Sequence, residues 1–264
     1  MYPVLFHIPL FGTTITVYTY GFLVAVAFLA GMMWVSYESK RVGQDPAKAM
    51  DLAFYIIVAA ILGSRILHVL VSERERFFEN PLILFKIWEG GLVFYGGLLA
   101  SILTAIWYIR RHKLSFWIIS DIFSPAIALG HVFGRLGCLM AGCCFGRTAP
   151  QAWYSITFPD NAHSFAPTGV PLYPTQLMET GGELLIFFFL LFVRKKKRFD
   201  GQVFASYIIV YSILRSFVEY FRGDIVRGFI IEPWFSTSQF ISIIMFVTGI
   251  VIYLKKYHRK GTTT

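Results

Sequence analysis

Gly130 to Gly146 reads Gly-His-Val-Phe-Gly-Arg-Leu-Gly-Cys-Leu-Met-Ala-Gly-Cys-Cys-Phe-Gly and follows an apolar run long enough to cross a bilayer. The stretch holds His131, Arg135, five glycines and all three cysteines of the chain, Cys138, Cys143 and Cys144. A charge near hydrocarbon costs roughly 2.5–3.5 kcal/mol on insertion scales, so Arg135 is expected to face a polar interior. Closely spaced glycines break or tighten a helix and leave backbone amides free to face a ligand. Together these features predict one wall of an intramembrane site for an anionic molecule.

Tyr211, Arg215 and Glu219 recur at i, i+4 steps farther along, with Arg222 three residues on, so one helical face carries them. An ion pair buried in a bundle and a substrate-facing stripe both explain this pattern; two arginines against one glutamate favour the stripe. Glu179 and Glu183 repeat the spacing after Tyr173-Pro174-Thr175-Gln176. Gln176 is expected to contact polar ligand atoms, Glu179 to pair with an arginine and Glu183 to serve as a structural partner. Arg65 lies well inside an apolar stretch, and Asp121 reads as a cap at the start of its own helix. Tyr95 sits between Gly90-Gly91 and Gly96-Gly97, and Tyr20 precedes Gly21. Each reads either as small-residue helix packing or as a hydroxyl turned to a cavity.

Guanidinium groups grip phosphate at two points at once. A phosphate ester reachable from within a bilayer is most simply a phospholipid. The chain has no His-rich or carboxylate metal constellation, no phosphate loop and no serine nucleophile elbow. Cysteines at 138, 143 and 144 match no zinc spacing and are too few and too local for a disulfide framework. Buried thiols are the first expectation and a disulfide on an oxidising outer face the second; no metal and no cofactor is predicted.

These groups need a scaffold, and composition supplies it. Of 264 residues, 56% are hydrophobic and 15% charged, which places the chain among polytopic membrane proteins. The net charge of +9 lies mostly in short clusters between apolar runs, which topology and anionic lipid explain better than nucleic acid. Runs at 14–36, 52–72, 91–109, 116–134, 175–193, 201–222 and 236–254 are long enough, at about 20 residues each, to span. Lys40, Arg41 and Lys48, then Arg110, Arg111 and Lys113, then Arg194 to Arg198, then Lys255, Lys256, Arg259 and Lys260 mark alternate connections. The other set holds only Arg74, Arg76, Lys86, Arg147 and Arg227. The positive-inside bias then predicts an all-α protein of seven transmembrane helices, amino terminus outside and carboxyl terminus cytoplasmic.

No lysine or arginine precedes Lys40, so no cleaved signal peptide is expected and the first span inserts as it stands. Met1–Gly12, apolar but punctuated by Pro3 and Pro9, is expected along the outer interface. The proline- and aromatic-rich segment 138–173 reads as a small extracytoplasmic cap between the fourth and fifth spans, within one transmembrane catalytic domain over 1–264. No internal repeat appears, so the inverted-repeat signature of many transporters is absent.

In their order and spacing, these residues resemble the prolipoprotein diacylglyceryl transferase family along almost the whole chain. The pieces are Tyr20-Gly21, Gly63-Ser64-Arg65, Trp88-Glu89-Gly90-Gly91 through Gly96-Gly97, Ser120-Asp121, Gly134-Arg135-Leu136-Gly137, Tyr173 to Leu177 with Glu179, and Tyr211 through Arg215, Glu219 and Arg222. The resemblance implies an enzyme of the bacterial inner membrane. It would move a diacylglyceryl group from phosphatidylglycerol to the lipobox cysteine of a prelipoprotein signal peptide, releasing glycerol phosphate. It implies that Arg135 and Arg215 hold the phosphate, while Tyr20, Arg65, Gly96, Gly134, Gln176, Tyr211, Glu219 and Arg222 shape the substrate site. Membrane lipids are the remaining partners.

Four positions depart from the family pattern. Cys138 and Ala141 stand for asparagines, Cys143 for a glutamate, and Tyr95 for a histidine. The acceptor thiol must become a thiolate before it attacks carbon, and the usual bases are gone. His131, four residues before Arg135 and on the same helical face, or a Tyr95 phenolate, is the expected proton acceptor; a packing histidine is the plainer reading. A related transferase with another acceptor, using the cysteines as thiols or as a redox lock, and a non-catalytic lipid carrier are the competing classes.

Overall fold

The computed structural model describes residues 2–10, 13–86, 90–160, 164–224, 228–232 and 235–261. Trp88, Glu89 and Arg227 lie outside the described residues, as do Met1, Phe11 and Gly12 of the opening segment. Helices dominate: α1 (Thr19–Arg41), α2 (Pro46–Ser72), a short α3 (Arg74–Glu79), α4 (Phe94–Arg111), α5 (Phe116–Ala141), α6 (Thr175–Lys195), α7 (Gln202–Glu219) and α8 (Thr237–Gly261). Five of them, α1, α2, α5, α6 and α8, are long and apolar enough to cross a membrane. The other two long helices, α4 and α7, have 18 residues each, a rise of about 27 Å. Arg110 and Arg111 close α4, and Arg215 and Glu219 lower the apolar content of α7.

Three two-stranded antiparallel ribbons accompany the helices: β1 (Val4–Leu10) with β2 (Thr13–Tyr18), β3 (Ile156–Thr157) with β4 (Pro171–Leu172), and β5 (Phe229–Ile231) with β6 (Phe235–Ser236). The apolar opening is thus one arm of a hairpin. The β-branched run Thr13-Thr14-Ile15-Thr16-Val17 suits a strand better than a helix, which moves the start of α1 from the expected residue 14 to Thr19. A second correction concerns the glycines. The helix runs unbroken through Gly130, Gly134 and Gly137 and ends only at Gly142, where φ reaches +71°. Packing rescues it at one point, since any side chain at Gly137 would press on the Tyr20 ring.

The chain divides into two compact units. In the unit 35–119, α2 and α4 pack through glycine: a methyl at Gly63 would strike Gly96 and Ala100, and one at Gly97 would meet the Ala60 carbonyl. Asp45 caps α2, accepting from the Ala47 amide at 2.9 Å with Pro46 in the first turn. Arg65, 1% exposed, donates to the carbonyls of Ile83, Gly90 and Gly91 and lies 3.5 Å from Glu73. Its guanidinium therefore braces the chain that leads into α4.

The other unit, 1–34 with 120–264, holds α5 to α8 around a core of Ala128, Ile186, Leu190, Val203, Tyr207 and Ile208. Between α5 and α6 a smaller cluster of Leu139, Phe158, Ala166 and Leu172 gives the connecting segment its own apolar centre, closed by the β3–β4 pair. Asp121 does not cap its own helix. Its carboxylate accepts from the Gly201 and Phe204 amides at 2.9 Å each and from Lys197 Nζ at 3.1 Å, and so fixes the start of α7. Burial opposes the Lys197 charge, but the hydrogen bond to Asp200 and the Asp121 carboxylate outweigh it and hold the ammonium pKa above its ordinary value.

Replacing Asp121 with Ala strands two amides and takes one of its two carboxylates from Lys197, a loss of about 2 kcal/mol. The thermal midpoint in detergent should fall by several degrees, with Asp121→Asn recovering part of it. An unchanged midpoint would show that the carboxylate does not hold α7.

Candidate functional site

Three helices present chemistry in matching steps. On α5 the order is His131, Arg135, Cys138; on α6, running in reverse, Glu183, Glu179, Gln176; on α7, Tyr207, Tyr211, Arg215, Glu219. Steps of three and four residues keep each set on one face, so the side chains meet in successive layers.

The middle layer is an ion cluster. Glu179, almost fully buried, forms an ion pair with Arg135, its Oε2 lying 3.0 Å from Nε, and lies 3.5 Å from Arg215 Nη1 through Oε1. Arg215 also pairs with Glu219 at 2.7 Å and donates to Ser238 Oγ at 2.8 Å. The intrahelical pair and the inter-helical contact therefore coexist: Arg215 is paired with Glu219 and lies near Glu179, while Arg222, beyond the end of α7, is taken by Asp224. The two arginines differ in what they leave over. Arg215 is 10% exposed, whereas Arg135 is 22% exposed and neither of its Nη atoms has a partner among the described residues. Its Nε is ion-paired with Glu179, and the planar guanidinium carries the two Nη groups in a fixed relation to that contact.

One layer away, His131 Nδ1 lies 2.6 Å from Glu183 Oε1 and 3.3 Å from the Tyr207 hydroxyl, with the ring tilted over Tyr211 at 5.5 Å. A proton on Nδ1 shared with the carboxylate leaves Nε2 as a lone-pair acceptor. Nε2 has no partner among the described residues, and the side chain is 39% exposed. Tyr207 and Asp224 are the functional candidates that sequence reasoning missed. Tyr207 was available as the first step of the Tyr211–Arg215–Glu219 stripe; Asp224, two residues beyond Arg222, grips that guanidinium through both carboxylate oxygens.

The third layer is the end of α5. Gly142 (φ +71°) and Cys144 (φ +59°) turn the chain back on itself, with the Cys143 amide donating to the Cys138 carbonyl at 3.1 Å. Gln176 Nε2 donates to the Cys143 carbonyl at 2.8 Å and Thr175 Oγ1 to the Cys144 carbonyl at 2.9 Å. The three thiols are free, and their sulfurs lie within 4.8 Å of one another. Beyond them Gly146 bridges to Arg222 and the Arg147 amide donates to Phe221 O at 2.8 Å, tying this turn to the end of α7. Hydrogen bonds with Cys138 and Cys143 hold the Cys144 thiol below its ordinary pKa against burial, with Arg222 and Arg135 assisting; Cys143 is raised by its hydrogen bonds with Cys138 and Cys144 and by burial. Burial opposes the Arg222 charge, but Asp224 and Cys144 keep its pKa above the usual guanidinium value.

Of the other expected site residues, Tyr20 packs on Gly137, and a side chain at Gly134 would meet no atom within 4 Å. Arg65, Tyr95 and Gly96 belong to the unit 35–119. There Gly96 is a helix contact against Gly63 and Leu67, and Tyr95 is half-exposed with its ring edge on Phe94.

The family model described as prolipoprotein diacylglyceryl transferase matches residues 3–255. A phosphatidylglycerol–prolipoprotein diacylglyceryl transferase of Clostridium tetani is 34% identical over 253 residues, covering 96% of this chain and 97% of that one. A second transferase of that name from Clostridium perfringens is 33% identical over 237 residues, with 90% of each chain covered. The Geobacter sulfurreducens enzyme of the same name is 34% identical over 247 residues, with 91% of each covered. With its arginine–glutamate cluster set among membrane-length helices, the chain belongs to the prolipoprotein diacylglyceryl transferase family.

Proposed function

We propose that this protein transfers the diacylglyceryl group of phosphatidylglycerol to the lipobox cysteine of prelipoproteins, and that Arg135 holds the phosphate. The observation that carries the assignment is the pair of Nη atoms on Arg135 that have no hydrogen-bond partner among the described residues, on a guanidinium ion-paired through Nε with Glu179. The relatives' names supply the two substrates.

Attack of the acceptor sulfur on the glyceryl carbon breaks a C–O bond, and the electron pair leaves on the phosphate oxygen. A phosphodiester with one negative charge becomes a monoester that gathers a second. Two guanidinium donors aimed at that oxygen bind the departing group more strongly than the starting lipid, which is how fixed donors lower a barrier. Arg215, enclosed by Glu179, Glu219 and Ser238, acts through Glu179 as a positioning residue and adds positive charge. The acceptor thiol must lose a proton and the phosphate monoester gains affinity for one; His131 Nε2, oriented by Glu183, is the proton-handling group on this face. Tyr20, Gly134, Tyr211 and Arg222 shape the space around it. Arg65 supports the segment before α4, where Tyr95 and Gly96 stand.

All seven long helices are taken to span. Basic residues close α1 (Lys40, Arg41), α4 (Arg110, Arg111) and α6 (Arg194, Lys195), which supports an amino terminus outside and these ends in the cytoplasm. In a bacterial inner membrane the segment 138–173 is then an extracytoplasmic cap where signal peptides arrive, within one catalytic domain.

Expression in a cell depleted of its own lipoprotein diacylglyceryl transferase should restore growth and add a diacylglyceryl mass to lipoproteins; stable expression without that mass would refute the assignment. Arg135→Lys should lower kcat about 10²–10³-fold and leave the thermal midpoint near the parent's, because the two lost donors make no fold contact. Equal kcat would remove Arg135 from the phosphate. His131→Gln should remove one limb of the pH–rate profile while Arg135-dependent phosphate binding is kept; an unaltered profile would assign the proton elsewhere.

A further inference from the structure

The first expectation from the spacing 138, 143, 144 is inert buried thiols. The fold gathers them instead. Cys138 lies in the last turn of a 26-residue helix, and the positive φ of Gly142 and Cys144 brings the next two cysteines back over it. A non-glycine residue in the left-handed region costs about 1–2 kcal/mol, so the Cys144 conformation is imposed by its surroundings rather than preferred. Gln176 and Thr175 hold the carbonyls of Cys143 and Cys144 from α6, while the thiols are joined in no disulfide and face one another. Three sulfurs within 4.8 Å of one another need to close only slightly to reach the separation of about 3.8 Å set by zinc–sulfur bonds of about 2.3 Å in a tetrahedron.

We propose that Cys138, Cys143 and Cys144 bind one thiophilic divalent cation such as zinc, with the fourth position left for the acceptor thiol. The proposal rests on the transferase reading above. Cys138 is buried but Cys143 and Cys144 are half-buried, so the fourth side is reachable. Charge is suited as well. Three thiolates and a divalent cation carry one net negative charge, and Arg135 stands one helical turn from Cys138, while Arg222 is joined to this turn through Gly146.

The order of stations along α5 fits a displacement. The thiol site comes first, Arg135 next, and His131 last, about 10 Å from Cys138 at 1.5 Å per residue. Coordination of the acceptor thiol releases its proton to water and leaves a sulfur lone pair. That pair forms the S–C bond as the C–O bond to phosphate breaks, its electrons leaving on the phosphate held by Arg135. The thioether product is a weak ligand and departs. No oxidation state changes, and His131 then serves the phosphate end. The side chains that replace the family's asparagine and glutamate at 138 and 143 thereby supply a thiolate without a carboxylate base.

The test uses purified full-length protein. Metal analysis should find about one zinc per chain, falling at least tenfold in Cys143→Ser. Because that variant could unfold, cobalt added to chelator-stripped parent protein provides a second reading. It should produce a thiolate-to-cobalt charge-transfer band, and a lipobox peptide should shift the cobalt ligand-field bands while its Cys→Ser counterpart does not. Loss of diacylglyceryl transfer on chelation, restored by zinc, completes the case. Three thiols that titrate as free with no bound metal, an unreduced mass lower by two hydrogens, or transfer that persists after chelation would each overturn the proposal while leaving the transferase reading intact. Metal and peptide binding with no transfer from phosphatidylglycerol would instead overturn the transferase reading and the activation step together.

Discussion

A single buried carboxylate links three helices of this protein. Glu179 on α6 stands between Arg135 of α5 and Arg215 of α7, so three helices share one electrostatic contact. Removing one member of such a cluster leaves an uncompensated buried charge, at a cost of about 3–5 kcal/mol. The same contact sets the chemistry. Glu179 pairs with Arg135 through Nε and leaves both Nη atoms without a hydrogen-bond partner among the described residues, so the charge is held in place with donors to spare. In water such an arrangement would be weak; away from water it gains strength and needs no reorganisation.

The layers on either side follow from helix geometry. Because α5 and α6 run in opposite directions, equal steps of three and four residues bring His131 to Glu183, Arg135 to Glu179 and the Cys143 carbonyl to Gln176 in sequence. In the proposed reaction the first layer handles protons and the second binds the anion, while the third brings the three cysteines together. The apolar core of Ala128, Ile186, Leu190, Val203 and Ile208 lies among the same helices, so the packing that stabilises the bundle also sets the register of the three layers.

Much of this is legible in the residues themselves. Apolar length marks out the seven long helices, and i, i+4 spacing on 211, 215 and 219 places three polar groups on one face. Pairings between helices are less legible, because a sequence fixes which side chains share a face but not which face meets which. Hence the approach of Glu179 to Arg215 is not visible along either helix, and Asp121 resembles a cap of its own helix although it holds the start of α7. Glycine misleads in another way. Gly130, Gly134 and Gly137 weaken a helix in isolation, yet α5 continues through them and breaks only where φ turns positive at Gly142. Tertiary context outweighs an intrinsic penalty of about 1 kcal/mol per glycine. The meeting of the three cysteines depends on that same late break, which spacing alone does not announce.

The central claim is that Glu179 acts on the lipid phosphate by orienting Arg135. The most direct measurement is a double-mutant cycle on phosphatidylglycerol affinity in detergent, using Arg135→Gln, Glu179→Gln and the two combined. If the carboxylate works through the guanidinium, the combined variant binds about as weakly as Arg135→Gln alone, giving a coupling of at least about 1 kcal/mol. Losses that simply add would contradict the account, because Glu179 would then be acting on the lipid independently of Arg135.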